Sequence, residues 1–386
     1  MLIFTVKKKG TNMSLPELER LKEYSFEISE SWIRPTSEIL SHSLLLRLMR
    51  NCPWNMCKFC ECYKGKRFEY KTVKEIKRDI DTIKAISDEI NILSKKLGGM
   101  NWVAKVINSY FLYDKSPNEL EKNELQNLYS VAIVFNWLYF GASTVFFQDS
   151  DSLIMRTQDL VEVINYLRQK FPSVRRITSY TRAKTIIEKN LEELKDICNA
   201  GLSRLHIGLE SGDDEVLRYI NKGVTSKDCI LAGKKAIKAG FEISEYVMPG
   251  IGGKDKSEQH AKNTAMVLNE INPHFIMMRP FVPRKGTPLF EEYEKGIFQL
   301  TSPHERLREL KILIKELNVT SRVCFDQPVM NSWYRDFSHR YPLFRPDSNG
   351  YKFPEEKEEV LKTIELGLAI DESAHIHAKD LINRHF

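Results

Sequence analysis

Residues 52–60 read Cys-Pro-Trp-Asn-Met-Cys-Lys-Phe-Cys, which places Cys52, Cys57 and Cys60 in one short stretch, and Cys62 follows two residues later. The chain of 386 residues has 7 cysteines in all. Disulfide scaffolds belong to short exported chains, and the start of this chain lacks the apolar core of a secretion signal. A cluster of this kind in a reducing compartment instead indicates metal or redox chemistry.

The cysteine spacing is compatible with two kinds of metal site. Three thiolates can hold a four-iron cluster and leave one iron without a protein ligand, open to a small molecule. With Cys62 as a fourth ligand, the same segment could form a structural zinc site. Zinc sites usually join two separated cysteine pairs, and the spacing C-x4-C-x2-C-x-C is tighter than that. The cysteines alone leave both interpretations open.

Around this loop, short apolar runs alternate with longer amphipathic stretches. Predicted strands cover residues 43–49, 144–148, 176–180, 205–209, 241–247 and 275–279. Predicted helices cover residues 72–86, 159–170, 186–200, 213–220, 226–239, 257–271 and 303–317. Gly201 and Gly240 lie where two of these helices should end before a strand. Six strand–helix units predict an α/β fold with a parallel sheet, curled into a partial (β/α)6 TIM-like barrel.

The regions outside this repeat predict the organisation of the chain. The barrel should cover about residues 40–318, with a charge-rich helical insertion at about 87–127. Residues 1–39 are then an N-terminal extension, and residues 319–386 form a C-terminal segment rich in aromatic residues, proline and charge. Ligands in such folds bind at the carboxyl ends of the strands, where the polar motifs of this sequence fall.

Composition narrows the class of protein. Apolar residues make up 42% and charged residues 28%, and the formal net charge is +6. This profile is typical of a globular protein with a sizeable core and gives only weak support to a nucleic-acid partner. Residues 128–148 are uncharged, but a Gly-Ala-Ser turn divides them into a helix end and a strand. We therefore expect no membrane span and a cytoplasmic location.

The cysteine loop resembles the motif of the radical S-adenosylmethionine (SAM) superfamily. In that motif an aromatic residue precedes the third cysteine, and Phe59 occupies this position. The loop departs from the usual spacing by one extra residue between the first two cysteines. The resemblance extends over about residues 43–318. It implies a [4Fe–4S] cluster held by Cys52, Cys57 and Cys60, SAM bound at the open iron, and a ferredoxin or flavodoxin as electron donor.

A second stretch narrows the resemblance. Residues 208–212, Gly-Leu-Glu-Ser-Gly, resemble a motif of the branch that includes anaerobic coproporphyrinogen oxidases, methylthiotransferases and Elongator-type enzymes. That resemblance implies that Glu210 contacts the ribose hydroxyls of SAM. Residues 221–225, Asn-Lys-Gly-Val-Thr, resemble the family's Asn-Arg-x-x-Thr segment, which implies that Lys222 meets the carboxylate of SAM. A lysine is a less directional carboxylate partner than an arginine. The alternative for Glu210 is an ordinary turn carboxylate.

The end of the second predicted strand is where the family often places a segment that holds the methionine amino group of SAM. This chain has Asp149, Ser150 and Asp151 there and lacks the family's glycines. These three residues are candidates for SAM contacts by position alone. The alternative is that one of these short polar side chains caps the following helix.

Further candidates follow the later strands. Tyr180 and Arg182 could reach SAM or the substrate, and a packing or surface role is the alternative for each. The turn that contains Met248 and Gly250 resembles the family's adenine-contacting turn, although glycines also serve turns without a ligand. Arg279 and the segment 283–288 resemble another family segment, with a surface loop as the alternative.

The remaining cysteines receive separate interpretations. Cys198 and Cys229 fall in predicted helices and are interpreted as core residues. Cys324 lies in the C-terminal segment, where some radical enzymes keep a hydrogen-atom donor, and simple burial is the alternative. Cys62 lies close to the predicted cluster and has no assigned role. Tyr180 and Cys324 are thus the candidate catalytic residues.

The resemblance implies reductive cleavage of SAM to a 5′-deoxyadenosyl radical, which then takes a hydrogen atom from a substrate. A small-molecule or lipid substrate is the leading expectation, because no accessory nucleic-acid domain is recognisable. RNA modification is the alternative enzyme function and predicts a continuous basic face near the barrel mouth. A zinc-stabilised binding module would explain the cysteines but not the strand-end motifs.

Overall fold

The alternating pattern of the sequence folds into one open sheet whose neighbouring strands are mostly parallel. Its strand order is β1-β4-β5-β6-β7-β8-β9-β12, and only the last pair, β9 and β12, is antiparallel. The strands are β1 (Leu44–Arg47), β2 (Met49–Arg50), β3 (Glu69–Tyr70), β4 (Thr144–Gln148), β5 (Arg176–Thr181), β6 (Leu202–Glu210), β7 (Glu242–Val247), β8 (Phe275–Met278), β9 (Arg322–Cys324), β10 (Ser332–Tyr334), β11 (Arg340–Pro342) and β12 (Tyr351–Lys352).

The helices pack mainly on the outer face of this sheet. They are α1 (Pro16–Leu21), α2 (Thr36–Leu40), α3 (Val73–Leu97), α4 (Met100–Phe111), α5 (Lys122–Tyr139), α6 (Thr157–Lys170), α7 (Ala183–Glu188), α8 (Leu191–Ala200), α9 (Asp214–Tyr219), α10 (Ser226–Lys238), α11 (Ser257–Ile271), α12 (Pro288–Glu294), α13 (Pro303–Glu316) and α14 (Lys357–Ala369). The computed structural model describes residues 15–29, 34–111, 120–326, 332–334 and 339–383. The predicted α/β fold with a mostly parallel sheet is confirmed.

Alternate residues of each strand face opposite sides of the sheet, and the two faces differ in character. Leu46, Phe147 and Ile243 belong to the large apolar core that the helices cover. On the other face, which we call the inner face, Tyr246 packs with Met277 and Cys324. Polar side chains are common on the inner face, so this face, and not the helix-covered core, is available for chemistry.

Local signals place the helices as the sequence predicts in most cases. Thr72 begins α3 through a capping box with Glu75, and Thr225 begins α10 through one with Asp228. The predicted helix ends at Gly201 and Gly240 are confirmed, with positive φ at Gly201. The uncharged stretch at 128–148 is indeed the end of α5, a turn and β4. No helix among the described residues has the length and apolar character needed to cross a membrane.

Three predicted boundaries differ from the structure. The first helix does not end at residue 86, because its apolar residues continue at helical spacing through Ile90 and Leu93 until left-handed Gly98 ends it. The predicted helix over 186–200 is divided, because Asn190 starts a new capping box for α8. The strand predicted at 205–209 is longer and begins at Leu202, directly after the helix-ending glycine.

Both terminal segments contribute to the body of the fold. The C-terminal segment supplies β9, parallel to β8, and β12. In the N-terminal segment, Leu21 and Phe26 are buried in the main core. The division of the chain into a barrel with separate extensions stays a prediction, although the sheet already includes strands from beyond residue 318.

The short helix α2 closes the amino end of the inner face. Its Glu38 accepts hydrogen bonds from Ser43 Oγ at 2.6 Å and from Arg176 Nη2 at 3.2 Å, and His206 Nε2 lies 3.8 Å from the same carboxylate. We call Glu38, Ser43, Arg176 and His206 the floor cluster. Because the floor cluster closes one end of the inner face, a ligand must approach the other end.

Candidate active site

The cysteine loop follows β2 at the carboxyl end of the sheet and is held in shape by its own polar groups. Asn55 has a left-handed backbone, with φ of +46°, a conformation that asparagine tolerates better than most residues. Its side-chain amide donates to Tyr63 O at 2.5 Å, and its backbone carbonyl accepts from Lys64 Nζ at 2.8 Å. The turn at Asn55 lies between Cys52 and Cys57, where the loop carries its extra residue.

The loop is fixed to the segment that follows α9. Trp54 Nε1 donates to Asn221 O at 2.8 Å, and Lys58 N donates to Ile220 O at 2.9 Å. A side chain at Gly223 would collide with the Trp54 ring, because its Cβ would lie 2.5 Å from a ring carbon. The cysteine loop and residues 220–223 therefore form one structural unit, although about 160 residues separate them in the sequence.

The thiols of this loop share one electrostatic environment. Burial raises the pKa of Cys57 to about 11, opposed by the nearby charge of Lys222. A hydrogen bond from Cys62 lowers the pKa of Cys60. No set of three or more His, Cys, Asp or Glu residues in the described parts of the chain is grouped closely enough to hold a single metal ion. Three soft thiol donors in one partly buried loop suit a multi-iron cluster, whose ligands stand further apart.

Glu210 and Lys222 form an ion pair beside this loop. Lys222 Nζ lies 2.8 Å from Glu210 Oε1, and the two side chains are 12% and 11% exposed. Burial opposes the charge of Lys222, but Glu210 and Cys57 more than offset it, and the pKa of Lys222 is raised. A Cβ at Gly208 would lie 2.4 Å from the Glu210 carboxylate, so the glycine leaves the space in which this pair sits.

The backbone around Glu210 is specialised. Glu210 itself has φ of +61°, an unusual value for a glutamate, and the register of β6 against β7 shifts between Gly208 and Glu210. Its carbonyl accepts a hydrogen bond from Met248 N at 2.9 Å. Strained backbone of this kind is often found at ligand sites.

Two further predicted SAM contacts lie in this neighbourhood. Arg182 lies with its guanidinium 5.1 Å from the Trp54 ring centroid, and its Nη2 donates to Lys222 O at 3.3 Å. Met248 packs in the same small apolar cluster as Phe59. Gly250 is turned away from a simple ligand contact, because its N–H donates to Glu309 Oε1 at 2.7 Å.

The carboxylates after β4 already have protein partners. Asp149 accepts from Arg47 Nε at 2.6 Å and from Ser29 Oγ at 2.7 Å. Asp151 accepts from the hydroxyls of Thr181 and Thr185. Burial raises the pKa of Asp151 to about 6, opposed by these hydrogen bonds. The geometry therefore gives no support to their predicted contact with SAM and favours a structural role.

Ser150 and the segment 283–288 also make protein contacts. Ser150 Oγ donates to Asn51 O at 3.3 Å and so connects the end of β4 to the residue before Cys52. Arg284 lies 3.5 Å from Glu61 and donates to Leu381 O at 3.3 Å. Both contacts join neighbouring segments around the cysteine loop.

Tyr180, Arg279 and Cys324 lie on or next to the inner face. Tyr180 and Tyr246 face each other with ring centroids 6.1 Å apart. Arg279 lies over the Tyr246 ring at 5.3 Å and 3.6 Å from Asp326. Cys324 is fully buried, and burial raises its pKa. The candidate catalytic residues are thus brought to the same face of the sheet, although Cys324 packs among Met277 and Tyr246.

Sequence analysis did not identify several residues of this site. Trp54 lies inside the quoted loop but had no assigned role. Tyr246 follows the alternation of β7, which would have placed it on the inner face. Glu245 is buried with a free Oε2 among the described residues, and burial raises its pKa to about 8. Asp326 follows a strand that the sequence pattern did not predict, so no local signal pointed to it.

Comparison with known proteins identifies the superfamily. The profile described as "Radical SAM superfamily" matches residues 124–264. A tRNA uridine(34) acetyltransferase of Methanocaldococcus jannaschii is 23% identical over 141 residues, which are 36% of this chain and 26% of that protein. Human Elongator complex protein 3 is 24% identical over 150 residues, 39% of this chain and 27% of that protein.

These matches support membership of the radical SAM superfamily. Members of this superfamily bind a [4Fe–4S] cluster and SAM. The match spans only about a quarter of each relative named above. The profile match, at residues 124–264, includes Glu210 and Lys222 but begins after the cysteine loop and ends before Arg279.

A solved structure of similar architecture is coproporphyrinogen III oxidase from Escherichia coli, described as a radical SAM enzyme. It is 15% identical to this chain, with a TM-score of 0.43. The alignment covers 86% of this chain and 70% of the oxidase.

Proposed function

We propose that Cys52, Cys57 and Cys60 hold the [4Fe–4S] cluster, and that Glu210 and Lys222 hold SAM against it. When bound, the cluster supplies the electron that splits a carbon–sulfur bond of SAM into methionine and a 5′-deoxyadenosyl radical. The observation that carries this proposal is the Glu210–Lys222 pair, 2.8 Å apart and electrostatically close to Cys57. A ferredoxin or flavodoxin is the proposed reductant.

The chain's own residues would orient SAM. Lys222 keeps its proton, because its pKa is raised, and is therefore a permanent cation for the carboxylate of SAM. The Glu210 carboxylate accepts hydrogen bonds from the two ribose hydroxyls. Trp54 and Phe59 supply apolar surface beside Lys222, which limits access of water to the loop.

A small polar molecule is the proposed substrate. Tyr180 and Tyr246 present hydroxyl-bearing rings to the inner face, and Arg279 and Asp326 add charges beside them. Such a lining suits polar groups better than the acyl chains of a lipid. Two cations near the loop are paired, since Lys58 lies 2.7 Å from Glu292 and Arg284 lies 3.5 Å from Glu61. This pairing does not favour a continuous basic surface for RNA.

Modification of tRNA is the second candidate function. It is favoured by the names of two relatives, a tRNA uridine(34) acetyltransferase and a threonylcarbamoyladenosine tRNA methylthiotransferase, the latter 33% identical over 86 residues. If it is correct, purified tRNA should stimulate SAM cleavage, and binding should weaken steeply with salt. A tRNA pool that neither binds nor changes the rate of SAM cleavage would contradict it.

The proposed function is tested by anaerobic reconstitution with iron and sulfide. We expect about four irons and four sulfides per chain, and 5′-deoxyadenosine after reduction with dithionite in the presence of SAM. Cys57→Ala should lose cluster and product, whereas Cys198→Ala, a half-buried cysteine of α8, should retain both. Stoichiometric zinc with no SAM cleavage would overturn the proposal.

A further inference from the structure

The carboxyl ends of β7, β8 and β9 bring three polar side chains together on the inner face. These strands are neighbours in the sheet, and Tyr246 lies opposite Met277, which in turn lies opposite Cys324. Arg279 directly follows β8, and Asp326 lies two residues after β9. We call Tyr246, Arg279 and Asp326 the orphan cluster, because of the unmade hydrogen bonds described next.

Each member of the orphan cluster has a buried polar atom without a hydrogen-bond partner among the described residues. These atoms are both carboxylate oxygens of Asp326, Nε of Arg279 and the hydroxyl of Tyr246. Asp326 is only 1% exposed. Its nearest cation, Arg279 Nη2, lies 3.6 Å away, which is too far for a hydrogen bond. Buried groups in this state are costly to the fold, and an incomplete ligand site is one reason for them to persist.

The orphan cluster lies close to the cysteine loop, which is proposed to hold the iron–sulfur group. The hydroxyl of Tyr180 interacts electrostatically with Arg279, with Asp326 and with Cys62. Cys62 is hydrogen-bonded to Cys60. A ligand on the orphan cluster would therefore lie close to Tyr180, which is itself close to the cysteine loop, on the face where the proposed radical chemistry occurs.

The unmade hydrogen bonds define the chemistry of the missing ligand. Arg279 and Tyr246 offer N–H and O–H donors, so they call for a carboxylate or another acceptor. Asp326 is an acceptor with no donor among the described residues, so it calls for an ammonium or another N–H group. The two demands lie within one short span, because Arg279 and Asp326 are 3.6 Å apart. A phosphate would satisfy Arg279 but would be repelled by Asp326.

We propose that the orphan cluster binds the α-amino-acid group of the substrate. Arg279 and Tyr246 hold its carboxylate, and Asp326 holds its ammonium. This inference rests on the proposed function, because it names the substrate class of that same site. It also reassigns Arg279 from SAM to the substrate.

The test is a binding measurement on the anaerobically reconstituted enzyme with SAM present. The twenty proteinogenic L-amino acids, probed one at a time by saturation-transfer NMR, should include at least one that binds. Its N-acetyl and methyl-ester derivatives, which remove one charge each, should bind about tenfold or more weakly. If none of the twenty binds, or if the blocked derivatives bind equally well, the proposal is wrong.

Variants separate the orphan cluster from the SAM site. Asp326→Asn and Arg279→Lys should each weaken amino-acid binding about tenfold or more, with the affinity for SAM measured in parallel. Asp159→Asn makes the same change as Asp326→Asn in an exposed pair with Arg156 on α6 and should leave amino-acid binding unaltered. A thermal unfolding measurement on each variant checks that it is folded.

The outcomes distinguish this inference from the proposed function. Loss of amino-acid affinity with SAM affinity retained supports the orphan cluster as the substrate site. An equal loss of SAM affinity would assign these residues to SAM and overturn the inference. If the wild-type protein assembles no cluster and cleaves no SAM, the proposed function fails, while the amino-acid titration still gives its own answer.

Discussion

The two ends of the inner face are built from similar residues but are completed to different degrees. At the amino end, the Glu38 carboxylate of the floor cluster accepts hydrogen bonds from Ser43 and Arg176. Burial alone would raise its pKa, but the neighbouring His206, Arg176 and Ser43 lower it to about 2. At the carboxyl end, the Asp326 carboxylate is just as buried and accepts no hydrogen bond from the described residues.

This difference separates structural charges from candidate ligand-binding ones better than residue type does. Glu38 and Asp326 are both buried acids near an arginine, and within the described part of the chain Glu38 accepts hydrogen bonds whereas Asp326 accepts none. The same contrast holds within the carboxyl end, where Asp149 and Asp151 are fully engaged by protein groups. The contrast is one between carboxylates, because His206 and Arg176 Nε of the floor cluster also lack hydrogen-bond partners among the described residues.

Breaking the floor cluster should affect stability and not SAM. Glu38→Leu leaves Arg176 without its buried partner, and we expect a loss of about 3 kcal/mol in the free energy of unfolding. This value is at the lower end of the range for broken buried ion pairs, because Arg176 is 28% exposed and its guanidinium stays partly hydrated. Urea unfolding measures it, and the affinity of the folded variant for SAM should match that of the wild-type protein.

A Glu38→Leu variant that is as stable as the wild-type protein, or that is folded but binds SAM poorly, would break the comparison between the two ends. The matched control is Glu270→Leu, which removes a carboxylate from an exposed pair with Lys234. Exposed pairs contribute little, so its stability should change by less than about 1 kcal/mol.

Removing a charge at the carboxyl end should, in contrast, weaken the binding of SAM. Lys222→Met removes the proposed partner of the SAM carboxylate, and we expect SAM affinity to fall about 30-fold, or about 2 kcal/mol. Lys222→Met alone leaves the buried Glu210 carboxylate without its cation and should lower the stability of the fold. The double variant with Glu210→Gln should recover part of that stability, because the unpaired carboxylate is then neutral. It should not restore SAM affinity. Equilibrium dialysis with labelled SAM checks both expectations, and unchanged affinity in Lys222→Met would remove Lys222 from the site.

The sequence was sufficient for those features that depend on local pattern. The strand–helix alternation predicted the parallel sheet, and helix caps such as Thr225 were visible in the residue types. The motif around Glu210 and the cation at Lys222 were both identified, and the structure pairs them. The sequence also predicted that Glu210 and Lys222 would lie near Cys57, because the carboxyl ends of parallel strands meet at one edge of the sheet.

Features that depend on distant parts of the chain were not predictable. Asp149 was a candidate for SAM because nothing in the sequence indicated that Arg47, about 100 residues earlier, would occupy its carboxylate. Asp326 was missed because β9 is a three-residue strand whose only support is its pairing with β8 and β12. The extra length of α3 is a different case, because the continued apolar spacing through Leu93 and the glycine at 98 were local signals that the prediction did not use.

Asp151 provides a sharper test within the carboxyl end. Asp151→Asn replaces one oxygen by a donor, which cannot accept from both Thr181 and Thr185. At pH 7.5 we expect a loss of about 1.5 kcal/mol in the free energy of unfolding, with SAM affinity retained. Asp159→Asn on exposed α6 is the control. A weakened affinity for SAM at unchanged stability would return Asp151 to the ligand-binding group.

The smallest expected effect concerns Glu245, a buried acid of β7 whose Oε2 lacks a partner among the described residues. Burial raises its pKa from 4.5 to about 8, opposed by the nearby charge of Lys222. The folded state therefore keeps a proton that the unfolded state releases. The stabilisation from this group is fully present below about pH 4.5 and is lost progressively as the pH rises through about 8.

Glu245→Gln cannot titrate, so its free energy of unfolding should depend less on pH. Between pH 6 and pH 7 the wild-type protein should lose about 1 kcal/mol more than this variant, which urea unfolding at the two pH values measures. Glu242→Gln, on the same strand but paired with Arg204, should keep the wild-type slope. An unchanged slope in Glu245→Gln would mean that Glu245 ionises normally in the folded protein. It would then be a buried anion beside Lys222 and a competitor for its charge, and the proposed role of Lys222 toward SAM would weaken.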